Sequence, residues 1–270
     1  MTAPLLTWRV RVDPPLPGAE NMAWDHTLAL WCGPDRGVLR LYTWDGPTLS
    51  LGRNEPAAGV YSEAALRDRG VTVVRRPTGG RAVLHHRELT YAVCAPIRAL
   101  GGARAAYAEV NRALAEGLRR LGAPVTLAGP GPAAHPDAGP CFRSPAEGEV
   151  MAAGPGGDPG KLVGSAQVRM GDTLLQHGSI LLEDDQGFIP RLRVEESPGT
   201  QRPATLHQVL GRSVSLDELR EAVLAGFAAR MPGDWRGAEP EGSLSVHGLP
   251  ASPRPDLLER YRSGEWTWRR

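Results

Sequence analysis

The chain of 270 residues is poor in lysine. Of 31 basic residues only Lys161 is a lysine, and the rest are arginine. It is also poor in cysteine, with Cys32, Cys94 and Cys141 scattered along the chain. Three such residues build neither a disulfide framework nor a zinc site, and a reduced, cytoplasmic protein is the expectation. Net charge is nearly absent, at +1 from 31 basic and 30 acidic residues. Neither nucleic acid nor an anionic membrane is therefore demanded as a partner. No apolar run approaches the ~20 residues of a transmembrane helix, and Met1–Val10 lacks the basic start and apolar stretch of a signal peptide.

What is present is the composition of a globular chain, 41% hydrophobic and 23% charged, enough for a sizeable core. Gly and Pro are abundant, 33 and 25 residues, and crowd into residues 129–160. Leu5–Val12 and Val38–Trp44 read as strands around a helix, Glu20–Trp31, whose apolar positions include Met22, Leu28 and Leu30. Val71–Val74, Arg81–Leu84 and Leu89–Ala95 read as short strands. Tyr107, Val110, Leu114, Leu118 and Leu121 form one stripe on a helix over Ala105–Leu121. After the Gly/Pro-rich loop 129–140, Glu149–Ala152 and Leu162–Ala166 read as a hairpin. Thr173–Leu182 reads as a strand pair or one bent strand. Ser215–Ala229 is a helix opened by a capping box, Ser215 with Glu218, along a stripe of Leu219, Val223 and Phe227. Little is legible in 231–270. Strands in the middle with irregular flanking helices predict an α+β fold.

Four segments carry chemistry. In Arg75-Arg76-Pro77-Thr78-Gly79-Gly80-Arg81, running on to His85-His86, a Gly pair lets backbone approach a ligand and arginines can fork onto oxygens. Its bland reading is a hairpin turn with surface arginines. In Lys161-Leu162-Val163-Gly164-Ser165-Ala166-Gln167 the sole lysine opens a strand of small residues that leave room for a ligand. An ammonium is compact and has a tunable pKa, which a guanidinium lacks. In Leu175-Gln176-His177-Gly178-Ser179-Ile180 polar groups interrupt a buried strand and need partners or a task. Cys141 follows a Gly/Pro loop, where a thiol is reachable and can be activated by a nearby cation, whereas Cys32 and Cys94 sit in apolar patterns.

In this order, the segments resemble the biotin/lipoate protein ligase superfamily, and within it the octanoyltransferases of the Gram-positive type. Asn21-Met22-Ala23 with Asp25, Trp44 and Leu51-Gly52-Arg53-Asn54 fit its N-terminal half. The resemblance implies a catalytic domain over 1–230, a mixed sheet flanked by helices related to class II aminoacyl-tRNA synthetases, with 231–270 an extension packed on it. It implies transfer of octanoyl from octanoyl-acyl carrier protein to a lysine of a lipoyl carrier domain, in lipoate biosynthesis. The glycine cleavage H protein is the first acceptor suggested and the 2-oxoacid dehydrogenase E2 domains the second. No cofactor or metal is expected. Cys141 would be the nucleophile and Lys161 its activator, with His177 next in line. Backbone N–H groups near Gly164, Ser165, Ala166 and Gln167 would hold the carbonyl oxygen. Gly79, Gly80, His177, Gly178 and Ser179 would wall the acyl tunnel with His85 beside them. Arg75, Arg76 and Arg81 would face an acidic carrier or the substrate's polar end. His86, where the family commonly has Asp, departs from the pattern, as do the long loop 129–140 and the Gly/Pro insertion before Lys161. The alternatives are an ATP-dependent lipoate–protein ligase, which lacks the cysteine and usually adds a C-terminal domain, and a non-catalytic acyl-carrier-binding module.

Overall fold

A computed structural model describes residues 6–129, 142, 147–195, 202–235 and 248–269. Strand β1 (Thr7–Val12), helix α1 (Gly18–Trp31) and strand β2 (Arg36–Tyr42) come first. β1 and β2 run parallel with α1 as their crossover. A small sheet follows, from β3 (Thr48–Leu51), helix α2 (Glu63–Asp68), β4 (Thr72–Arg75) and β5 (Val83–His85), in the order β4-β3-β5. Then come β6 (Glu88–Pro96), helix α3 (Ala103–Arg120), β7 (Thr126–Leu127), β8 (Val150–Ala153), β9 (Pro159–Lys161), β10 (Val163–Met170) and β11 (Thr173–Leu181). Helices α4 (Leu206–Leu210), α5 (Leu216–Arg230), α6 (Pro255–Arg262) and α7 (Gly264–Thr267) complete the described chain. The main sheet is mixed, ordered β1-β2-β6-β11-β10, and β7-β8-β9 form a third sheet. The fold is α+β, mixed sheets flanked by helices.

β6 shows how the core is arranged. All nine of its residues are buried, so both faces are covered. Leu89, Tyr91, Val93 and Ala95 join the apolar cluster of α3 and α5, while Ala92 and Cys94 join that of α1 and α6. The stripes hold: Val110, Leu114 and Leu118 on α3, and Leu219, Val223 and Phe227 on α5, are fully buried. The two helices touch through backbone. A Cβ on Gly226 would lie 2.3 Å from the Ala113 carbonyl oxygen, so no larger residue fits that crossing. The Ser215 Oγ accepts the Glu218 N–H at 3.1 Å, as the capping box requires.

Five local expectations are corrected. The hairpin partner of β8 is β9, with Met151 opposite Lys161, and not 162–166. Leu162, fully buried, ends that hairpin, and β10 crosses to the main sheet beside β11, Ala166 opposite His177. Thr173–Leu181 is one continuous strand. Leu30 is 48% exposed, and the buried face of α1 carries Asn21 and Asp25 instead. Tyr107 and Leu121, the ends of the α3 stripe, are only partly buried. The tail, in which little was legible, contains α6 and α7, and Leu257 and Tyr261 of α6 pack with α1.

Candidate active site

The α1 face of the main sheet holds a buried polar network. Asn21 and Asp25 stand one helical turn apart and face β2. Arg40, fully buried, donates Nη1–H to Asp25 Oδ1 at 2.7 Å and Nε–H to Asp13 Oδ2 at 2.6 Å. The Tyr42 hydroxyl donates to Asp25 Oδ2 at 2.9 Å. His177 on β11 places Nδ1 2.8 Å from the same oxygen, and its Nε2 lies 2.7 Å from Thr78 Oγ1. Burial pushes the Asp25 carboxyl up, but the His177 hydrogen bond and the Arg40 charge outweigh it and hold the carboxyl below its usual value. Burial pushes His177 down despite Asp25. The ring is then neutral at pH 7, with Nδ1–H donating to Asp25 and Nε2 accepting from the Thr78 hydroxyl.

A second cluster lies on the same face. Glu88 Oε1 accepts from Ser179 Oγ at 2.7 Å and Thr90 Oγ1 at 2.6 Å, and lies 2.7 Å from His85 Nδ1. The other nitrogen of His85 is 2.7 Å from Ser50 Oγ. The His85 ring stacks on Trp44, centroids 4.0 Å apart.

These groups surround a cleft with about 360 Å³ of empty space, mouth included. Met22, Tyr42, Trp44, Val83 and Ala166 give it apolar wall, and Ser50, Arg76, His85, Thr90, Ser165, His177 and Ser179 give it polar residues. The polar side chains are largely spent on one another, so the wall presents carbon to the space between them. Gly164 and Gly178 complete it. A Cβ on Gly178 would come within 2.2 Å of the Gly164 carbonyl oxygen, so only glycine fits there. Among the described strands β10 stands at the edge of the main sheet, with one row of its backbone groups outside that ladder. Such a cleft suits an apolar chain.

Lys161 is reached from this cleft through one ring. Phe142 packs against Gly164 and clusters with Val83 and Leu181. Lys161 Nζ lies 5.3 Å from the centre of that ring. It also lies 2.8 Å from Glu149 Oε1, with both side chains 3% exposed. The Tyr107 hydroxyl donates to the same oxygen at 3.2 Å. The change of sheet between β9 and β10 is what carries Lys161 inward.

Lys161 apart, which stands behind Phe142, the expected site residues fall into three groups. Arg76, His85, Gly164, Ser165, Ala166, His177, Gly178 and Ser179 meet at the cleft. Cys141 lies outside the described residues, one position before Phe142. The third group is placed elsewhere. Arg75 is fully buried and donates to the carbonyls of Gly52, Glu55, Trp266, Thr267 and Arg269, so it ties the C-terminal helices to β4 and faces no substrate. Gly79 and Gly80 are exposed and, with Arg81, stand off the cleft; the Gly79 and Arg81 carbonyls accept from Arg76 Nη2. Gln167 also stands off it. The arginine pair divides because strand alternation turns neighbouring side chains to opposite faces. Sequence reasoning missed Arg40 and Glu149 as site residues, and Glu88 entered it only within the family motif Glu88-Leu89-Thr90-Tyr91. Asp25 and Trp44 carried only the family resemblance, although polar Asn21 and Asp25 at helical spacing inside an apolar stripe were a usable signal. Among the described residues no cluster of three or more His, Cys, Asp or Glu is arranged to hold a metal, and no helix is long and apolar enough to cross a membrane.

Comparisons with known proteins bear on the family and the fold. Residues 17–228 match the model of the lipoyl protein ligase A/B catalytic domain. The octanoyltransferase LipM of Carboxydothermus hydrogenoformans is 36% identical over 97% of this chain and 99% of its own. That of Symbiobacterium thermophilum is 39% identical over 82% of this chain and 85% of its own. Among solved structures, lipoate-protein ligase A bound with ATP superposes with a TM-score of 0.75, covering 97% of this chain and 99% of its own at 19% identity. A lipoate protein ligase from T. acidophilum with bound lipoic acid gives 0.72, covering 97% and 100%, also at 19%. These last two speak to the fold alone. The chain belongs to the lipoyl protein ligase A/B catalytic domain family and, within it, to the acyltransferases of the octanoyltransferase kind.

Proposed function

We propose that this protein moves an octanoyl group from octanoyl-acyl carrier protein to a lysine of a lipoyl carrier domain, through a thioester on Cys141, with no ATP. The glycine cleavage H protein is the first acceptor to try and the 2-oxoacid dehydrogenase E2 domain the second. The reading belongs to a cytoplasmic enzyme whose catalytic domain spans 1–230, with 231–270 as an extension. The observation that carries it is a sole lysine buried beside the ring of Phe142, the residue after Cys141, in a chain whose close relatives are octanoyltransferases. In the first step the Cys141 thiolate attacks the thioester carbonyl; a C–S bond forms and the carrier thiolate leaves. In the second, the amine of the acceptor lysine attacks. An amide forms, the Cys141 thiolate is released, and the amine's proton passes to solvent or a nearby base. A fixed ammonium at Lys161 favours the thiolate. His177 is ill placed to replace it, because both its ring nitrogens are engaged by Asp25 and Thr78. The cleft takes the chain, and the outer backbone groups of β10 are candidates for the developing oxyanion.

Intact mass after mixing with octanoyl-acyl carrier protein tests this. The wild type gains one octanoyl group and Cys141→Ala gains none. Lys161→Arg loses at least ~100-fold in transfer rate, the scale of a lost acid–base or charge-stabilising group. An undiminished adduct in Cys141→Ala would refute the assignment. Efficient transfer of free lipoate with ATP would move the chain to the ligase reaction, and binding of acyl carrier without any covalent adduct would make it a carrier-binding module.

A further inference from the structure

The C-terminal helices bring positive charge to the turn beside the cleft. The guanidinium carbons of Arg260 and Arg269 lie 3.8 and 4.1 Å from the centre of the Trp266 ring. Trp266 Nε1 donates to the Arg75 carbonyl at 2.9 Å, which fixes the ring on the end of β4. Arg269 also donates to the Arg53 carbonyl. The Arg53 N–H in turn donates to the Thr78 carbonyl at 2.8 Å, and the Thr78 hydroxyl holds His177 on the cleft wall. Arg53 thus backs onto the 78–80 turn, Arg269 joins it through the Arg53 carbonyl, and the Trp266 ring ties Arg260 to the same group.

Their charge is left over. Among the described residues the neighbouring Arg254 and Arg262 are each paired, with Asp256 and Glu20 at 3.0 Å, whereas Arg53, Arg260 and Arg269 form no ion pair. Glu55, the nearest acidic side chain in this loop, is occupied by the Tyr61 hydroxyl and the Gly52 N–H. Glu259 and Glu265 are exposed and outside ion-pair distance. Partial burial, and then repulsion from Arg53 and Arg260, pull the Arg269 pKa down. In a chain of net charge +1 this is a local concentration rather than a general excess.

We infer that Arg53, Arg260 and Arg269, held around Trp266, form a docking surface for an acidic protein that carries the acyl group as a thioester. This rests on the transferase reading and adds where the donor sits. The acyl chain enters the cleft while the body of the carrier remains outside. A carrier surface of negative charge would meet here cations that form no ion pair among the described residues, whereas Arg75 and Arg76 spend their guanidinium groups on backbone carbonyls. Rim charges of this kind raise encounter rate and salt sensitivity more than chemistry.

The test compares two donors, octanoyl-acyl carrier protein and the small neutral thioester octanoyl-N-acetylcysteamine, with the full-length wild type and the triple variant R53Q/R260Q/R269Q. The ratio of kcat/KM for the carrier to that for the small donor falls about tenfold or more in the variant at low salt, the scale of electrostatic steering. Wild-type carrier kinetics weaken steeply with salt and the variant's do not. An unchanged ratio, or an equal fall with both donors accompanied by a lower Tm, would overturn the proposal and leave the arginines structural. Loss of binding to phosphatidylglycerol vesicles with an unchanged ratio would assign the patch to a lipid surface and overturn it too. A wild type that gains no octanoyl adduct from either donor would bring down the transferase reading and this one with it.

Discussion

The two faces of the main sheet are built on opposite principles. Toward α3 and α5 the strands present Leu39, Leu41, Leu89, Val93, Leu174 and Ile180 to apolar helix stripes. Toward α1 the same strands present Arg40, Tyr42, Thr90, His177 and Ser179, all buried. The first face is stabilised by carbon removed from water, roughly 25 cal/mol per Å², and is indifferent to geometry at the level of a single hydrogen bond. The second holds charges that would be costly alone, and it is tolerable only because Asp25, Arg40, Asp13, His177 and Thr78 satisfy one another. The cleft opens on the second face. A cavity wall must keep its shape while empty, and a closed hydrogen-bond network holds side chains in one arrangement better than apolar packing does.

Paired truncations break this comparison most directly. Asp25→Ala leaves Arg40 and His177 short of their shared acceptor and should cost about 3–5 kcal/mol, as for a broken buried ion pair. Phe227→Ala on the other face should cost a similar ~3–5 kcal/mol through a cavity. Urea midpoints give both stabilities, and acylation rates measured where both variants are folded separate them. The Asp25 variant slows octanoyl uptake and the Phe227 variant does not. Equal rates would mean that the polar network serves stability alone.

Acid sharpens the contrast. His177 is held below its usual pKa by burial, and His26, on the same side, is lowered to about 4 by burial and by Arg260 and Arg254. Both are neutral in the fold and bind a proton more readily when unfolded. Their contribution is complete above about pH 6.5 and declines as pH falls below it, toward 4 for His26. Asp25, depressed below its usual value, adds a further loss only below about pH 4. The urea midpoint should fall between pH 7.5 and 5, and the slope should be shallower in His26→Gln. A midpoint that rises on acidification would contradict the assigned protonation states.

The smallest effect belongs to the apolar face. Ser215→Ala removes the α5 cap and should cost about 1 kcal/mol, read as a shift in Tm, with no change in acylation rate.

How much of this was legible follows the same division. The apolar face was written in the sequence, because a stripe such as Leu219, Val223 and Phe227 announces both the helix and its buried side. The cleft was half legible. His85, His177, Ser179 and Lys161 stand out as polar residues within strand patterns, and all are buried as such residues must be when they have partners. Arg75 and Arg76 illustrate what was not. Adjacent and chemically identical, one secures the C-terminal turn and the other lines the cleft. Periodicity says that they face opposite ways but not what waits on each side.

The sequence by itself determined helices α1, α3 and α5, the strands β1, β2 and β6, most of the apolar stripes, the family and the singular lysine, since each depends on residue type and local spacing. Only the tertiary structure decided that β9 pairs with β8 while β10 leaves for the main sheet, that Glu149 meets Lys161, that Asp25 on α1 reaches His177 on β11, and that the tail returns to Arg75. Those pairings join residues far apart in the chain. They are chosen by which buried charges can be satisfied together, a condition that no local pattern records.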